Sequence, residues 1–259
     1  MTMSGNESAK LTANIPIISV CGKGGVGKTV FSALLGRILI ENGLSPLLMV
    51  DADPVGGLVS AIGEKAVKTL SGVRDMFISE TRNGGKLSAK EAADHLDYFI
   101  LNALVERKDF SMLAMGRTTE KGCFCSANKL LRQAMDKIIS AYAGVLIDAE
   151  AGIEQINRDV TSQVNRVFVI IDASQRSIDT LNAIAGMVDP SQITIIANRI
   201  TTEDLLNLPT GIKVAGVIPA NETVRQFDRE GRSLWQLPDD NEAFMAVKNI
   251  MKSINLSNP

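Results

Sequence analysis

The chain has 259 residues, of which 45% are hydrophobic and 22% charged, and its formal net charge is -2. These values are ordinary for a folded globular protein and give no positive field that would attract nucleic acid. The longest apolar runs, such as Val167–Ile171, have the length of a strand rather than of a membrane span, and three cysteines are too few for a disulfide framework. We therefore expect one large domain in a reducing cytoplasm, with neither nucleic acid nor membrane as a partner.

The first 14 residues are polar and lack the apolar stretch of a secretion signal, so we predict a disordered tail at 1–14 and a domain at 15–259. From Ile15 onward, short β-branched runs alternate with longer helical patterns. This alternation predicts an α/β fold, a single domain whose mostly parallel, twisted sheet is flanked by helices. The strands have no polar face, which is typical of strands buried on both sides. The predicted strands are Ile15–Cys21, Leu44–Asp51, Tyr98–Ala103, Gly144–Ala149, Arg166–Ile171, Gln192–Ala197 and Lys213–Ile218.

Helical patterns fill most of the segments between these strands, and the dipeptide Asn42-Gly43 is placed to end the first helix with a left-handed cap. The region around 102–126 fits a repeating βα unit least, and we predict an insertion above the sheet there. The predicted helices are Lys28–Glu41, Ser88–His95, Ala127–Ala141, Ile153–Gln163, Arg176–Met187, Thr223–Arg229 and Asn241–Ile254.

A glycine-rich run between the first strand and the first helix matches G-x-x-x-x-G-K-[ST], the pattern of a phosphate-binding P-loop. Its residues are Gly22, Lys23, Gly24, Gly25, Val26, Gly27, Lys28 and Thr29. Glycines let the backbone wrap closely around phosphates, and the helix that follows presents its positive end to the same anion. We predict that these residues and the adjacent Val30 bind ATP, with Lys28 on the β- and γ-phosphates and the Thr29 hydroxyl on Mg²⁺.

Two other predicted strands end in carboxylates. Asp51-Ala52-Asp53-Pro54 follows the second strand, and Asp148 ends the apolar run that starts at Gly144. Ligands bind at the carboxyl edge of parallel sheets, so these side chains are placed for the nucleotide site. Asp148 has the position of a Walker B aspartate, which holds Mg²⁺ through water. A simple Asp-Pro turn is the alternative interpretation of the first pair.

Lys23 gives the loop the pattern K-G-G-x-G-K-T, which resembles the deviant P-loop of the MinD, ParA and nitrogenase iron-protein ATPases. The resemblance implies a homodimer that forms with ATP, in which Lys23 reaches the nucleotide of the partner subunit. It also implies that Asp53 orients or deprotonates the attacking water and that Asp51 supports the magnesium shell. The predicted catalytic residues are therefore Asp53, Lys28 and Lys23.

The same resemblance extends to later elements of the chain. Asn198-Arg199 is similar to the pair that reads the base in this family, and a strand-end cap is the alternative interpretation. Residues 216–222, with Pro219, resemble the element that backs the base pocket. Gly152 stands at the second-switch glycine that senses the γ-phosphate, and Glu150 replaces a proline found in MinD relatives.

The pair Cys123 and Cys125, separated by one phenylalanine, lies in the predicted insertion. Two thiolates are too few for a tetrahedral zinc or a cubane cluster, but a two-fold dimer brings two pairs together as four ligands. We therefore predict a shared site for nickel, zinc or an iron-sulfur cluster at the dimer interface. Two unconnected thiols in a loop are the alternative. We expect Cys21 to be a core residue and His95, the one histidine, to be a surface residue.

The Cys-x-Cys pair, together with D-x-D-P, D-x-x-A-G-I-E and the late run G-R-S-L-W-Q, resembles the CooC-type nickel-insertion ATPases. That resemblance implies an ATP-dependent metallochaperone whose client is a carbon monoxide dehydrogenase or acetyl-CoA synthase type metalloenzyme. An ATP-driven iron-sulfur electron donor is a second hypothesis, which the close spacing of the cysteines disfavours. A positioning ATPase of the MinD or ParA type is a third. For the apolar face of 241–254 we expect packing on the domain itself rather than on a membrane.

Overall fold

The computed structural model describes residues 15–53, 56–66, 68–82, 96–117, 133–149, 164–206, 208 and 212–254. Several predictions fall outside these ranges: the tail 1–14, the helices at 88–95 and 153–163, the pair Cys123 and Cys125, and the residues His95, Glu150 and Gly152.

The described strands form one eight-stranded sheet in the order β3-β4-β2-β5-β1-β6-β7-β8. All neighbours are parallel except the edge pair β3 and β4. Central strands are buried along their whole length, as their continuous Val, Ile and Leu runs require. The strands are β1 Ile17–Gly22, β2 Leu47–Asp51, β3 Val105–Glu106, β4 Phe110–Ala114, β5 Gly144–Asp148, β6 Arg166–Ile171, β7 Ile193–Asn198 and β8 Val214–Ile218.

Helices cover both faces of this sheet, which confirms the predicted mostly parallel α/β fold. The first helix has the predicted bounds, and Gly43 after it has a left-handed φ of 89°, as expected for the cap. The helices are α1 Lys28–Glu41, α2 Gly57–Ala61, α3 Leu70–Arg82, α4 at 96–101, α5 at 133–139, α6 Gln175–Ala185, α7 Thr202–Leu206, α8 Glu222–Arg229 and α9 Glu242–Ser253.

The prediction of a strand at Tyr98–Ala103 is wrong, because residues 96–101 are helical. Leu96 and Ile100 are buried there while Tyr98 and Leu101 are exposed, a one-sided pattern with helical spacing that the short apolar run concealed. Phe110–Ala114 forms the missing strand, β4, beside β2. The first part of the predicted insertion at 102–126 therefore joins the sheet instead of rising above it; residues 118–126 lie outside the described ranges.

Two hydrophobic layers hold the helices to the sheet. Along β1, Ile18 and Val20 face a layer that contains α1 and α9, whereas Ile17 and Cys21 face the opposite layer with α6. This alternation is the ordinary period of a strand covered on both sides. Cys21 is fully buried, as expected.

Helix α9 packs on its own domain, as the sequence predicted. Phe244 and Val247 have no exposed surface, and Asn241 caps the helix by accepting hydrogen bonds from the amides of Ala243 and Phe244. Among the described helices, none is both long and apolar enough to cross a lipid bilayer.

The late run G-R-S-L-W-Q ties α1 to the segment after α2. The Trp235 indole donates to the carbonyl of Ala33 at 2.7 Å, and the Ser233 hydroxyl donates to the carbonyl of Ile62 at 2.8 Å. This segment therefore fixes the helix that follows the P-loop relative to the C-terminal end of α2.

Candidate nucleotide site

The P-loop is a sharp turn between the end of β1 and the start of α1. Gly22 has φ 143° and a side chain there would meet the carbonyl of Ile170 at 2.4 Å. Gly27 has φ 98° and a side chain would meet the amide of Asn198 at 2.3 Å. Only glycine fits both positions, since each combines a left-handed backbone with a close neighbour. The geometry agrees with the predicted phosphate loop at the positive end of α1.

Asn198 and Arg199, at the end of β7, hold this loop from the side. The Asn198 amide donates to the carbonyl of Val26 at 2.7 Å, and the Arg199 guanidinium donates to the carbonyl of Gly25 at 2.6 Å. Arg199 itself has a left-handed φ of 57°, an unusual backbone for a residue with a side chain. The structure thus brings both predicted base-reading residues to the P-loop, where their donors bind loop carbonyls; a contact with the base stays a prediction.

Pro219 lies at the same edge of the sheet. It follows the last residue of β8, Ile218, whose carbonyl accepts a hydrogen bond from the amide of Arg199 at 2.9 Å. Pro219 therefore follows a residue that is hydrogen-bonded to Arg199, and its place behind the base stays a prediction.

The two lysines of the loop have different surroundings. Lys28 is buried, and its ammonium lies 3.2 Å from the carbonyl of Lys23. Lys23 turns to the end of β6, where its ammonium donates to Asp172 at 2.8 Å and to the Ser174 hydroxyl at 2.9 Å. Partial burial works against ionisation of Asp172, but the hydrogen bonds from Lys23 and Ser174 outweigh it and lower its pKa to about 2.

Asp148 ends β5 directly beneath the first turns of α1. It is 1% exposed, and its Oδ2 accepts a hydrogen bond from the Thr29 hydroxyl at 2.8 Å. Ser32 donates a second hydroxyl hydrogen bond to Oδ1 at 2.9 Å. Burial raises the pKa of Asp148 to about 7, although both hydroxyls act in the opposite direction. A carboxylate and a hydroxyl in contact are the hard oxygen donors that Mg²⁺ prefers, so Thr29 and Asp148 fit the predicted ion.

Asp51 lies beside Asp148, because the two residues are register partners on β2 and β5. Its Oδ2 accepts from the amide of Val59 at 2.9 Å and its Oδ1 accepts from the amide of Asp53 at 3.3 Å. Burial raises the pKa of Asp51 despite these hydrogen bonds. Asp51 therefore binds the start of the loop after β2 and the first turn of α2, while its support of a magnesium shell stays a prediction.

That loop carries Asp53, and the helix that follows it, α2, begins close to Thr29. The carbonyl of Asp53 accepts from the amide of Gly56 at 3.0 Å, and a side chain at Gly57 would come within 3.4 Å of the Thr29 hydroxyl. The predicted water-orienting residue thus belongs to the same edge of the site as the predicted magnesium ligands.

Sequence reasoning missed Ser32 and Asp172. Asp172 immediately follows β6, so the rule that assigns strand-end carboxylates to the site would have found it. Ser32 lies three residues after Thr29, on the same face of α1, and this spacing was its signal. Cys123 and Cys125 lie outside the described residues, and within those residues no group of three or more His, Cys, Asp or Glu side chains could hold a metal ion.

The sequence family described as the AAA domain matches residues 15–201. A Methanocaldococcus jannaschii protein named as an uncharacterized ATP-binding protein is 34% identical over 92% of this chain and 98% of its own length. The carbon monoxide dehydrogenase accessory protein CooC of Rhodospirillum rubrum is 29% identical over 85% of this chain and 89% of its own length.

Among solved structures, the MinC:MinD cell division protein complex of Aquifex aeolicus has the same fold. It superposes with a TM-score of 0.66 at 20% identity and covers 92% of this chain and 95% of the matched chain. Together with the P-loop between β1 and α1, these similarities settle the class of the protein. The chain belongs to the AAA domain family and is an ATP-hydrolysing enzyme with the fold of MinD.

Proposed function

We propose that this ATPase is a maturation factor that dimerises with ATP and delivers a metal, by resemblance nickel, to a carbon monoxide dehydrogenase or acetyl-CoA synthase type enzyme. The observation that carries the proposal is the pair Cys123 and Cys125 in a chain whose remaining motifs are those of an ATPase. The 29% identity to CooC of Rhodospirillum rubrum over 85% of this chain supports it.

In this proposal each residue of the nucleotide site has one chemical role. The P-loop amides and Lys28 bind the β- and γ-phosphates, and Thr29 and Asp148 hold Mg²⁺, which neutralises the charge that develops on the phosphates. Asp53 orients the attacking water. Asn198 and Arg199 keep the loop in its curled shape through their hydrogen bonds to Val26 and Gly25.

The cysteines form the second half of the proposal. Each chain supplies two thiolates, and a two-fold dimer supplies four, which suits a tetrahedral metal or a cubane cluster. Assembly with ATP would complete the site, and hydrolysis would separate the subunits and release the cargo. Coupling of this kind requires only that ATP bind the dimer more tightly than the monomer.

A transfer experiment tests this function. Protein loaded anaerobically with nickel is mixed with metal-free client enzyme, and nickel on the re-isolated client is measured. We expect transfer with ATP and little with ADP, and the Lys28→Ala variant should transfer as poorly as the ADP sample. Equal transfer without ATP, or by a Cys123→Ser variant, would contradict the proposal.

Measurements on the same protein preparation distinguish the two other hypotheses, the iron-sulfur carrier and the positioning ATPase. A broad visible absorption band of the anaerobically purified protein would indicate an iron-sulfur carrier. ATP-dependent sedimentation with liposomes or DNA, without bound metal, would instead indicate a positioning ATPase of the MinD or ParA type.

A further inference from the structure

Ser32 is a buried hydroxyl to which the proposed mechanism assigns no task. It lies on α1 three residues after Thr29, so the two side chains share one face of the helix. Its exposed fraction is 0%, and its hydroxyl donates to Oδ1 of Asp148 at 2.9 Å. Thr29 donates to the other oxygen of the same carboxylate, Oδ2, at 2.8 Å.

This contact differs from the usual behaviour of serine inside a helix. Such hydroxyls commonly donate to a carbonyl one turn earlier in their own helix. Ser32 instead reaches a strand that lies 116 positions away in the chain. The neighbouring α1 residues Phe31 and Leu35 are in the hydrophobic layer. Because water does not reach this position, the hydrogen bond to Asp148 offsets the cost of burying the Ser32 hydroxyl.

As a consequence, each oxygen of the Asp148 carboxylate accepts one hydroxyl hydrogen bond. The terminal torsion of an aspartate is broad and roughly two-fold, so packing alone fixes its plane poorly. With Oδ1 bound by Ser32, Oδ2 is directed toward Thr29, where the proposed magnesium site lies. Without Ser32 the carboxylate could rotate, and Oδ1 would lose this donor in a buried position.

We propose that Ser32 is a positioning residue that orients Asp148 toward the magnesium ion of the ATPase reaction. The inference rests on the proposed roles of Thr29 and Asp148. Partners that orient the ligands of a metal affect its affinity by about 10–100-fold when they are removed. Ser32 itself contacts neither nucleotide nor metal in this scheme.

The test is Ser32→Ala, with Mn²⁺ as a spectroscopic substitute for Mg²⁺. Binding of Mn²⁺ to the nucleotide complex is followed by electron paramagnetic resonance, and binding of ADP in chelator is followed by calorimetry. We expect Mn²⁺ affinity to fall about tenfold or more while metal-free ADP affinity stays within about twofold. ATP hydrolysis should then need about tenfold more Mg²⁺ for half-maximal rate, with its maximal rate nearly unchanged.

Two further variants serve as controls for the loss of the Ser32 hydroxyl. Ser71→Ala removes another buried helical hydroxyl, which donates to the carbonyl of Gly116 and not to Asp148, and should leave Mn²⁺ affinity unchanged. Ser32→Thr keeps the hydroxyl and should restore most of the affinity. Unchanged Mn²⁺ affinity in Ser32→Ala would overturn the inference.

Mn²⁺ affinities of further variants show whether the proposed magnesium site, and not only the role of Ser32, is wrong. If Thr29→Ala and Asp148→Asn also left Mn²⁺ affinity unchanged, the proposed magnesium site itself would be wrong. If those two variants weakened Mn²⁺ binding and Ser32→Ala did not, only the role of Ser32 would be lost.

Discussion

The ammonium of Lys23 lies 2.8 Å from Oδ2 of Asp172 and joins the P-loop to the end of the neighbouring strand β6. The other oxygen of Asp172, Oδ1, accepts hydrogen bonds from the amide and the hydroxyl of Ser174, and these orient the carboxylate toward Lys23. The lysine expected to reach a partner subunit is therefore held within its own chain. Movement of Lys23 to a second nucleotide would require breaking this ion pair.

We predict that Asp172→Asn promotes ATP-dependent dimerisation. Both side chains are about a quarter exposed, so the ion pair contributes about 1 kcal/mol or less, and the ATP concentration for half-maximal dimerisation should fall by up to about fivefold. Sedimentation in an Asp53→Ala background, which is expected to block hydrolysis, measures this. Asp179→Asn, at an exposed position on α6, is the control. A higher ATP requirement in Asp172→Asn would show that the pair assists assembly instead.

Lys28→Ala should abolish tight ATP binding. Lys28 is buried, its ammonium lies 3.2 Å from the carbonyl of Lys23, and in the proposed site its charge is paired with the β- and γ-phosphates. Charged hydrogen bonds contribute about 1.5–3 kcal/mol each, so affinity should fall about 100-fold or more. Calorimetry with magnesium-ATP measures it, and Lys65→Ala, at an exposed position, should bind like the parent. Unchanged affinity of Lys28→Ala would remove the phosphate assignment.

Asp53→Ala should separate binding from hydrolysis. Asp53 lies on the loop after β2, where its amide donates to Asp51, and it is expected to act on water rather than on the phosphates. Loss of a group that positions or deprotonates the nucleophile typically costs about 100-fold or more in rate. ATP affinity should stay within about twofold, which calorimetry and a phosphate-release assay would measure in parallel. If Asp53→Ala hydrolysed ATP at the rate of the parent protein, a catalytic role for Asp53 would be excluded.

The pKa of Asp148, about 7, predicts how stability depends on pH without nucleotide and metal. An aspartate in the unfolded chain titrates near about 3.9, so between about pH 4 and 7 the folded protein holds a proton that the unfolded chain has lost. Stability contributed by this group therefore falls as pH rises through that range.

Urea unfolding in chelator at pH 5 and pH 8 measures this effect. Asp148→Asn should gain about 2–3 kcal/mol relative to the parent between the two conditions, because it lacks the titrating group. Asp109→Asn, at an exposed site, should keep the parental difference. A constant offset between Asp148→Asn and the parent would contradict the raised pKa.

Much of the fold could be predicted from the sequence because buried parallel strands have continuous apolar runs. Arg166–Ile171 has its predicted bounds for this reason. The strand prediction at Tyr98–Ala103 failed because a short apolar run fits a buried strand and one side of a helix equally well. Phe110–Ala114 was missed because its five residues, FSMLA, include no Val, Ile or Thr, the β-branched residues that mark the other strands.

The site shows the same division between local and tertiary information. The P-loop follows from glycines at fixed spacing, so its place between β1 and α1 was predictable. Asn198, in contrast, donates to Val26 across 172 positions of the chain, and a motif match does not specify such a contact. Hydrogen-bond partners of Asp51 likewise depend on how α2 packs, which no local pattern encodes.

The stoichiometry of the proposed metal site follows from the number of thiolates in each chain. One chain offers two neighbouring thiolates, Cys123 and Cys125, whereas tetrahedral and cubane sites take four ligands. Metal should therefore be found at about one site per two chains, and only in the dimer. Elemental analysis with a thiol count, on anaerobic protein separated by size, measures both quantities.

Cysteine variants decide whether that metal belongs to the proposed interface. Cys123→Ser and Cys125→Ser should each eliminate the metal and leave ATP affinity within about twofold, because neither residue belongs to the P-loop. Cys21 is the matched control: burial raises the pKa of its thiol to about 11, so it stays protonated and is a poor ligand at neutral pH. Cys21→Ser should therefore retain the metal, although its 0% exposure makes some loss of stability expected. One tightly bound metal per monomer, or full retention in both Cys123→Ser and Cys125→Ser, would exclude the shared site and leave the ATPase without a cargo.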